Sequence, residues 1–323
     1  MGKPNFFIIG AAKAGTTALY ALLSEHPDVF MCPIKEPHHF ASEINPEHLR
    51  PIIRKRYAQT NITRYIDQGM PYPLHSLLVK DRKEYEDLFR FSGEAIAVGE
   101  ASPSYLHSPM AAAQIHAYNP QARIVVILRE PVSRLQSHYL MERRMGMTTE
   151  PLTNAILHDR EIKHRTWGSA ALYTELGCYS DDLKRYMDIF PPEQILVLWY
   201  EQLVEDPAAV VRELCAFLKI RKHVPALSGK RHNASELPRS AFTRILWRLE
   251  GIKDFLRKSI RSRKIRRLIR NILFRKADQG DAMPIELKKQ LGAYYSDDIR
   301  RLATLTGRNL DHWIAAVAED SVS

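Results

Sequence analysis

The chain has 323 residues, 45% hydrophobic and 26% charged, a composition ordinary for a folded globular protein and long enough to bury a full core. No run approaches the ~18–20 continuous apolar residues of a membrane span, the first ten residues lack the apolar stretch of a secretory signal, and the start MGKPNF lacks the Ser or Thr of a myristoylation site. Three well-separated cysteines, Cys32, Cys178 and Cys215, argue against a disulfide framework or a cysteine-built zinc site, and these features together predict a cytoplasmic protein.

The net charge of +10 is uneven: residues 241–276 carry 13 Lys and Arg against 2 Asp and Glu, which leaves the rest of the chain close to neutral.

The first element is FFIIG, from Phe6, an apolar run that stops at Gly10 and gives way to GAAKAGTT and an amphipathic helix. Strand, glycine loop and helix in that order hold phosphate-like anions, because the first N–H groups of the helix lack intrahelical partners and carry the positive end of its dipole. Gly10 and Gly15 are spaced as in a nucleotide-binding phosphate loop, but Thr16 stands where that motif requires Lys. The lysine is instead inside the loop, at Lys13. Ala14, Gly15, Thr16 and Thr17 are the expected anion contacts, with Lys13 aimed at the bond to be broken.

Residues 34–68 look irregular and begin with IKEPHHF, which carries Glu36, read by itself as a solvated loop carboxylate, and two adjacent histidines, His38 and His39, that suggest a metal. His38 also fits a plain packing histidine, and no third ligand stands at a metal-binding spacing. Three further apolar runs, AIAVGE from Ala95, RIVVILRE from Arg123 and QILVLWYE from Gln194, complete a set of four strands separated by helical segments. Unbroken apolar strands are covered on both faces, so the prediction is an α/β fold with a parallel sheet that binds ligands at its strand carboxyl ends.

At the tip of IVVIL the sequence continues LREPVSRLQSHYL, with Arg129 and Ser137 eight residues apart across a proline-started helix. A nucleoside triphosphatase wants a magnesium-holding carboxylate there, whereas Arg129 repels a metal and grips an anion with its planar fork. Two anion sites at two strand tips predict a ligand with phosphate-type groups at both ends, such as 3′-phosphoadenosine 5′-phosphosulfate (PAPS). Residues 152–190 read as helical, with Tyr179, Leu183, Tyr186 and Met187 on one face, and Asp206 with Pro207 makes a good helix start. The stretch at about 241–276 is a basic amphipathic helix by its spacing; a solvated face, a membrane-surface helix and a docking strip for an acidic substrate all fit it. No linker divides the chain, so residues 1–323 are expected to form one domain with that helix as an insertion.

With GAAKAGTT and LREPVSRLQSHYL in one chain, the sequence resembles the PAPS-dependent sulfotransferases, most closely the carbohydrate branch of heparan sulfate enzymes and their bacterial relatives. The resemblance runs from Phe6 to about Ile220 and returns in YYSDDIRRLATLTGRNLDHW, which is similar to the family's closing helix. It implies a P-loop-like three-layer fold, PAPS as co-substrate with PAP as product, and no required metal. It further implies that the first loop holds the 5′-phosphosulfate and that Arg129 and Ser137 hold the 3′-phosphate. Glu36 becomes the base that deprotonates an acceptor hydroxyl, with His38 beside it.

The loop KRHNASELPRS falls where the family closes a basic loop over the nucleotide, which makes Lys230 and Arg239 candidate contacts. In GEASPSYL the family's lysine after the glutamate is replaced by Ala101, and Ser102 and Ser104 are either ligand contacts or part of a strand-end turn. The expected function is sulfo transfer from PAPS to a hydroxyl of a carbohydrate or glycolipid, with peripheral contact at the inner membrane surface through 241–276 and no nucleic-acid partner. A P-loop nucleotide-dependent kinase and a non-catalytic membrane- or polyanion-binding protein are the alternatives.

Overall fold

The computed structural model describes residues 2–224, 236–238, 274–276 and 283–314. In chain order its main strands are β1 (Phe6–Gly10), β2 (Val29–Met31), β3 (Ile34–Lys35), β4 (Leu74–His75), β5 (Ala97–Ala101), β6 (Arg123–Leu128) and β7 (Ile195–Trp199). The four apolar runs thus become β1, β5, β6 and β7. With β2 they form one five-stranded sheet in the order β2-β5-β1-β6-β7, and every pairing is parallel.

Every residue of β1 and β5 is buried, as is all of β6 after Arg123, so both faces of the sheet centre are covered. This is the parallel α/β sheet that the apolar patterning predicts, in the P-loop-like layered form that the resemblance implies. Because β1 lies between β5 and β6, connections diverge to either side of it, and the crevice at the carboxyl ends of β1 and β6 is the topological switch point.

Helices start where their residues dictate. Thr16–Ser24 follows the glycine loop with Gly15 as N-cap. Pro131–Met145 begins with proline, and its cap Glu130 accepts from the N–H groups of Val132 and Ser133, each at 2.7 Å. The long helix Ile285–Thr306 returns to the body: Asp298 accepts from the Tyr179 N–H at 2.7 Å, and the Tyr295 hydroxyl donates to the Thr174 carbonyl at 2.9 Å. Just beyond it, Trp313 is buried against Tyr179 and Trp199.

Three expectations change. Residues 34–68 are not irregular throughout, because Pro51–Ala58 and Ile62–Asp67 are helices, the first anchored where Arg50 meets Glu142 in a two-bond ion pair at 2.6 and 2.9 Å. Residues 152–190 hold two helices, Leu152–Arg160 and Ser180–Met187, with a non-helical segment between them. Gly168 there has φ +83°, a conformation that favours glycine. Tyr179, Leu183 and Tyr186 are buried together as the spacing requires. Of the amphipathic helix expected at about 241–276, only Phe274–Lys276 is described, and it is a strand paired antiparallel with Glu236–Pro238; the remainder lies outside the described residues. Among the described residues, no helix is long and apolar enough to cross a membrane.

Candidate active site

The glycine loop is built by close approach. Gly15 has φ +110°, and a Cβ placed on it would sit 3.0 Å from the Leu203 side chain and 3.2 Å from the Tyr200 ring. Only glycine meets both conditions without strain. The loop is tied to the neighbouring strand by the Ala11 N–H, which donates to the Ile127 carbonyl at 2.6 Å. No side chain caps the helix Thr16–Ser24, so its first N–H groups remain available as an anion cradle. Ala14 and Thr16 are buried beneath the cradle and Thr17 is exposed at its rim.

Lys13 stands in the left-handed region, φ +68°, and its ammonium lies 3.4 Å from the Met141 sulfur. Burial, with the cations of Arg144 and Arg129 nearby and Glu36 opposing, lowers its pKa to about 8. Met141 is one turn along the same helix face from Ser137, so the lysine and the serine address the same space from two elements. Ser137 is half-buried and makes no hydrogen bond among the described residues.

Arg129, at the tip of β6, donates to the Lys13 carbonyl at 3.2 Å and lies over the Tyr200 ring at 4.4 Å. Its own carbonyl accepts from the Tyr179 hydroxyl at 2.9 Å. The two strand tips therefore form one continuous cationic floor. The carboxylate beside Arg129, Glu130, is occupied as the helix cap.

Glu36 and His38 come from the segment after β3, and both have positive φ, 69° and 54°. The β3–β4 pairing sets Lys35 opposite His75, and the Glu36 carbonyl accepts from the Leu77 N–H at 3.1 Å. The Glu36 N–H donates to the Ala101 carbonyl at 3.0 Å, which hangs the segment on the carboxyl end of β5. The carboxylate is asymmetric. Oε1 accepts from the Lys35 ammonium at 2.5 Å and lies 3.6 Å from His75 Nε2, whereas Oε2 makes no hydrogen bond among the described residues. Burial pushes the Glu36 pKa up, but Lys35, followed by His75 and His38, outweighs it and holds the value at about 2.

His38 is fully buried. Its Nδ1 meets Ser104 Oγ at 2.7 Å, its Nε2 meets Ser76 Oγ at 3.2 Å, and Ser76 in turn meets the Tyr57 hydroxyl at 2.9 Å. Burial lowers its pKa to about 4, so the ring is neutral near pH 7, and Nε2 lies 3.8 Å from Glu36 Oε2.

The site thus brings together Lys13, the Ala14 to Thr17 cradle, Arg129 and Ser137, with Glu36, in the segment after β3, near enough for its charge to act on Lys13, and His38 buried behind Glu36. Ser102 and Ser104 are buried and hydrogen-bonded within the protein, so they support His38 instead of facing ligand. Lys230 and Arg239 lie outside the described residues. Sequence reasoning missed Lys35, Ser76, Tyr57 and the half-buried Trp167, whose ring centroid is 5.7 Å from that of His38. Lys35 was adjacent in the motif; the other three are distant in sequence, and only β3–β4 pairing and loop folding bring them in.

Residues 4–223 match the sulfotransferase family. This chain belongs to the sulfotransferase family. Among similar members, human (Homo sapiens) carbohydrate sulfotransferase 15 is 28% identical over 250 residues, covering 67% of this chain and 44% of that protein. Human heparan sulfate glucosamine 3-O-sulfotransferase 3B1 is 28% identical over 225 residues, covering 68% of this chain and 47% of that protein. The match with these two family members therefore spans less than half of their length. A crystal structure of a sulfotransferase from Alicyclobacillus acidocaldarius is 28% identical, with a TM-score of 0.67 over 97% of this chain and 99% of that one. That structure shares the P-loop-like layered fold described above.

Proposed function

We propose that this sulfotransferase moves a sulfo group from PAPS to a hydroxyl of a carbohydrate acceptor. The observation that carries this reading is the joining of the Lys13 loop to Arg129, which sets two anion-binding ends side by side, with an ionised carboxylate across from them. PAPS suits both ends, supplying the sulfo group at one and the 3′-phosphate at the other. The residues that would hold it are the cradle from Ala14 to Thr17 with Lys13, and Arg129 with Ser137.

Glu36 is ionised at neutral pH and offers Oε2 to the proton of the attacking hydroxyl, while Lys35 fixes Oε1. Lys13 and the helix N–H groups neutralise the negative charge that grows as the bond to sulfur breaks. Neutral His38, held from both ring nitrogens, keeps a fixed polar wall beside the carboxylate. The carbohydrate class is supported by the names of the relatives, and the Trp167 ring supplies an apolar face of the kind sugars pack against. A phosphate-transferring kinase is disfavoured by chemistry within the site: an arginine takes the metal-holding position and the neighbouring Glu130 carboxylate is engaged in capping.

Calorimetric titration with PAP, with ADP as control and EDTA throughout, tests the reading. PAP binding without metal that ADP does not match supports both anion ends together. Equal binding of the two, or binding only when magnesium is supplied, overturns it.

A further inference from the structure

Behind the proposed base lies a second carboxylate. Glu100, in β5, is completely buried, and it forms no ion pair among the described residues. Its three partners are hydroxyls: Tyr85 and Tyr105 donate to Oε1, each at 2.8 Å, and Ser102 donates to Oε2 at 2.7 Å. A buried carboxylate without a cation is a costly choice for a position that only needs packing. The expense suggests a job that a neutral side chain would not do.

That job can be read from hydrogen-bond polarity. A carboxylate only accepts, so each hydroxyl must point its proton inward and turn its lone pairs outward. Two of these outward lone pairs are used: Ser102 Oγ accepts from the His38 N–H at 3.2 Å and the Tyr105 oxygen accepts from the Phe40 N–H at 3.3 Å. Ser104, on the same turn, meets His38 Nδ1, and the Ala101 carbonyl receives the Glu36 N–H. Residues 101–105 thus grip the segment 36–40 at alternate residues while Glu36 and His38 are both in strained left-handed conformations.

We propose that Glu100 is a positioning residue for the transfer reaction, fixing the direction of the hydroxyl bonds that hold Glu36 and His38 in register with the Lys13 loop. The proposal rests on Glu36 being the base. It touches neither nucleotide nor acceptor, so its effect falls on turnover and not on nucleotide binding.

The test is Glu100→Gln, whose NH2 group must donate where one carboxylate oxygen accepted. Ser102→Ala and Tyr105→Phe, which keep Glu100 and remove one acceptor each, cover the case in which Glu100→Gln does not fold. Assays at about pH 8 keep Glu100 ionised, since burial, opposed by its three hydroxyls, lifts its pKa to about 7. Turnover should fall ~10²-fold with the nucleotide KM and PAP affinity unchanged, as for a small misplacement of a reacting group. Hydrogen–deuterium exchange at 36–40 should quicken while that of the loop 10–15 does not. Unchanged turnover, or lost turnover with unaltered exchange at 36–40, overturns the proposal. Failure of the base assignment is read separately, from normal turnover in Glu36→Gln, and leaves the exchange result standing on its own.

Discussion

The guanidinium of Arg129 donates to the main-chain carbonyl of Lys13 at 3.2 Å, so the residue expected at one end of the nucleotide also braces the loop at the other. Arg129→Ala should therefore weaken PAP binding through direct loss of a charge-assisted contact, roughly 1.5–3 kcal/mol or about 10- to 150-fold. Arg129→Lys should recover little of it, because an ammonium has neither the planar fork nor the stacking on Tyr200. Calorimetry with PAP on both variants decides the point; a lysine variant with full affinity would refute it.

Glu36→Gln removes the proposed proton acceptor and keeps the shape. Turnover should fall ~10²–10⁴-fold with nucleotide affinity retained. In the native protein the Glu36 pKa of about 2 lies below its ordinary value. Its stabilising contribution is therefore complete above the unfolded pKa and lost only as pH falls toward 2. Turnover should consequently show no limb from Glu36 near pH 4–5; a limb there that vanishes in the glutamine variant would contradict the Lys35 pairing.

In the proposed mechanism Lys13 acts as a cation, and with a pKa of about 8 it loses that charge as pH rises through that value. Turnover should decline on the alkaline side near pH 8, well below the point for an ordinary lysine. Lys13→Met should abolish that limb and lower turnover ~10²–10³-fold, the scale for losing one donor to developing charge. A native pH profile flat to pH 10 would show that the charge of Lys13 is not used.

Gly15→Ala places a methyl against Leu203 and Tyr200 at a φ of +110°. Both effects oppose folding, and a residue forced into such a conformation costs about 1–3 kcal/mol. Thermal unfolding should come several degrees lower, and PAP binding should weaken because the cradle begins at this residue. An alanine variant that melts with the native protein would mean the loop relaxes freely.

Trp313 is buried against Tyr179, whose hydroxyl holds the Arg129 carbonyl. Trp313→Ala should cost ~3–5 kcal/mol by emptying a large core site. Trp313→Phe should cost less, since a ring remains, and denaturant midpoints of the two variants compare them directly.

The sequence by itself determined four of the five strands of the main sheet, because short unbroken apolar runs suit strands covered on both faces, and it determined the glycine loop before the helix Thr16–Ser24, because its glycine, lysine and threonine spacing is local; β2 was not legible in it. It placed Glu36, His38 and Arg129 just after the ends of β3 and β6, and Ser137 on the helix that follows β6, where the structure has them. Tertiary structure decided what local pattern cannot carry. The pairing of β3 with β4 brought Ser76 to His38, the helix Pro51–Ala58 brought Tyr57 to Ser76, and the end of β5 turned Ser102 and Ser104 inward as props. It was also the fold that set Lys35 on Glu36 and left Oε2 free of hydrogen bonds, because the strength and direction of a charge contact depend on burial and distance, and neither is written in the order of residues.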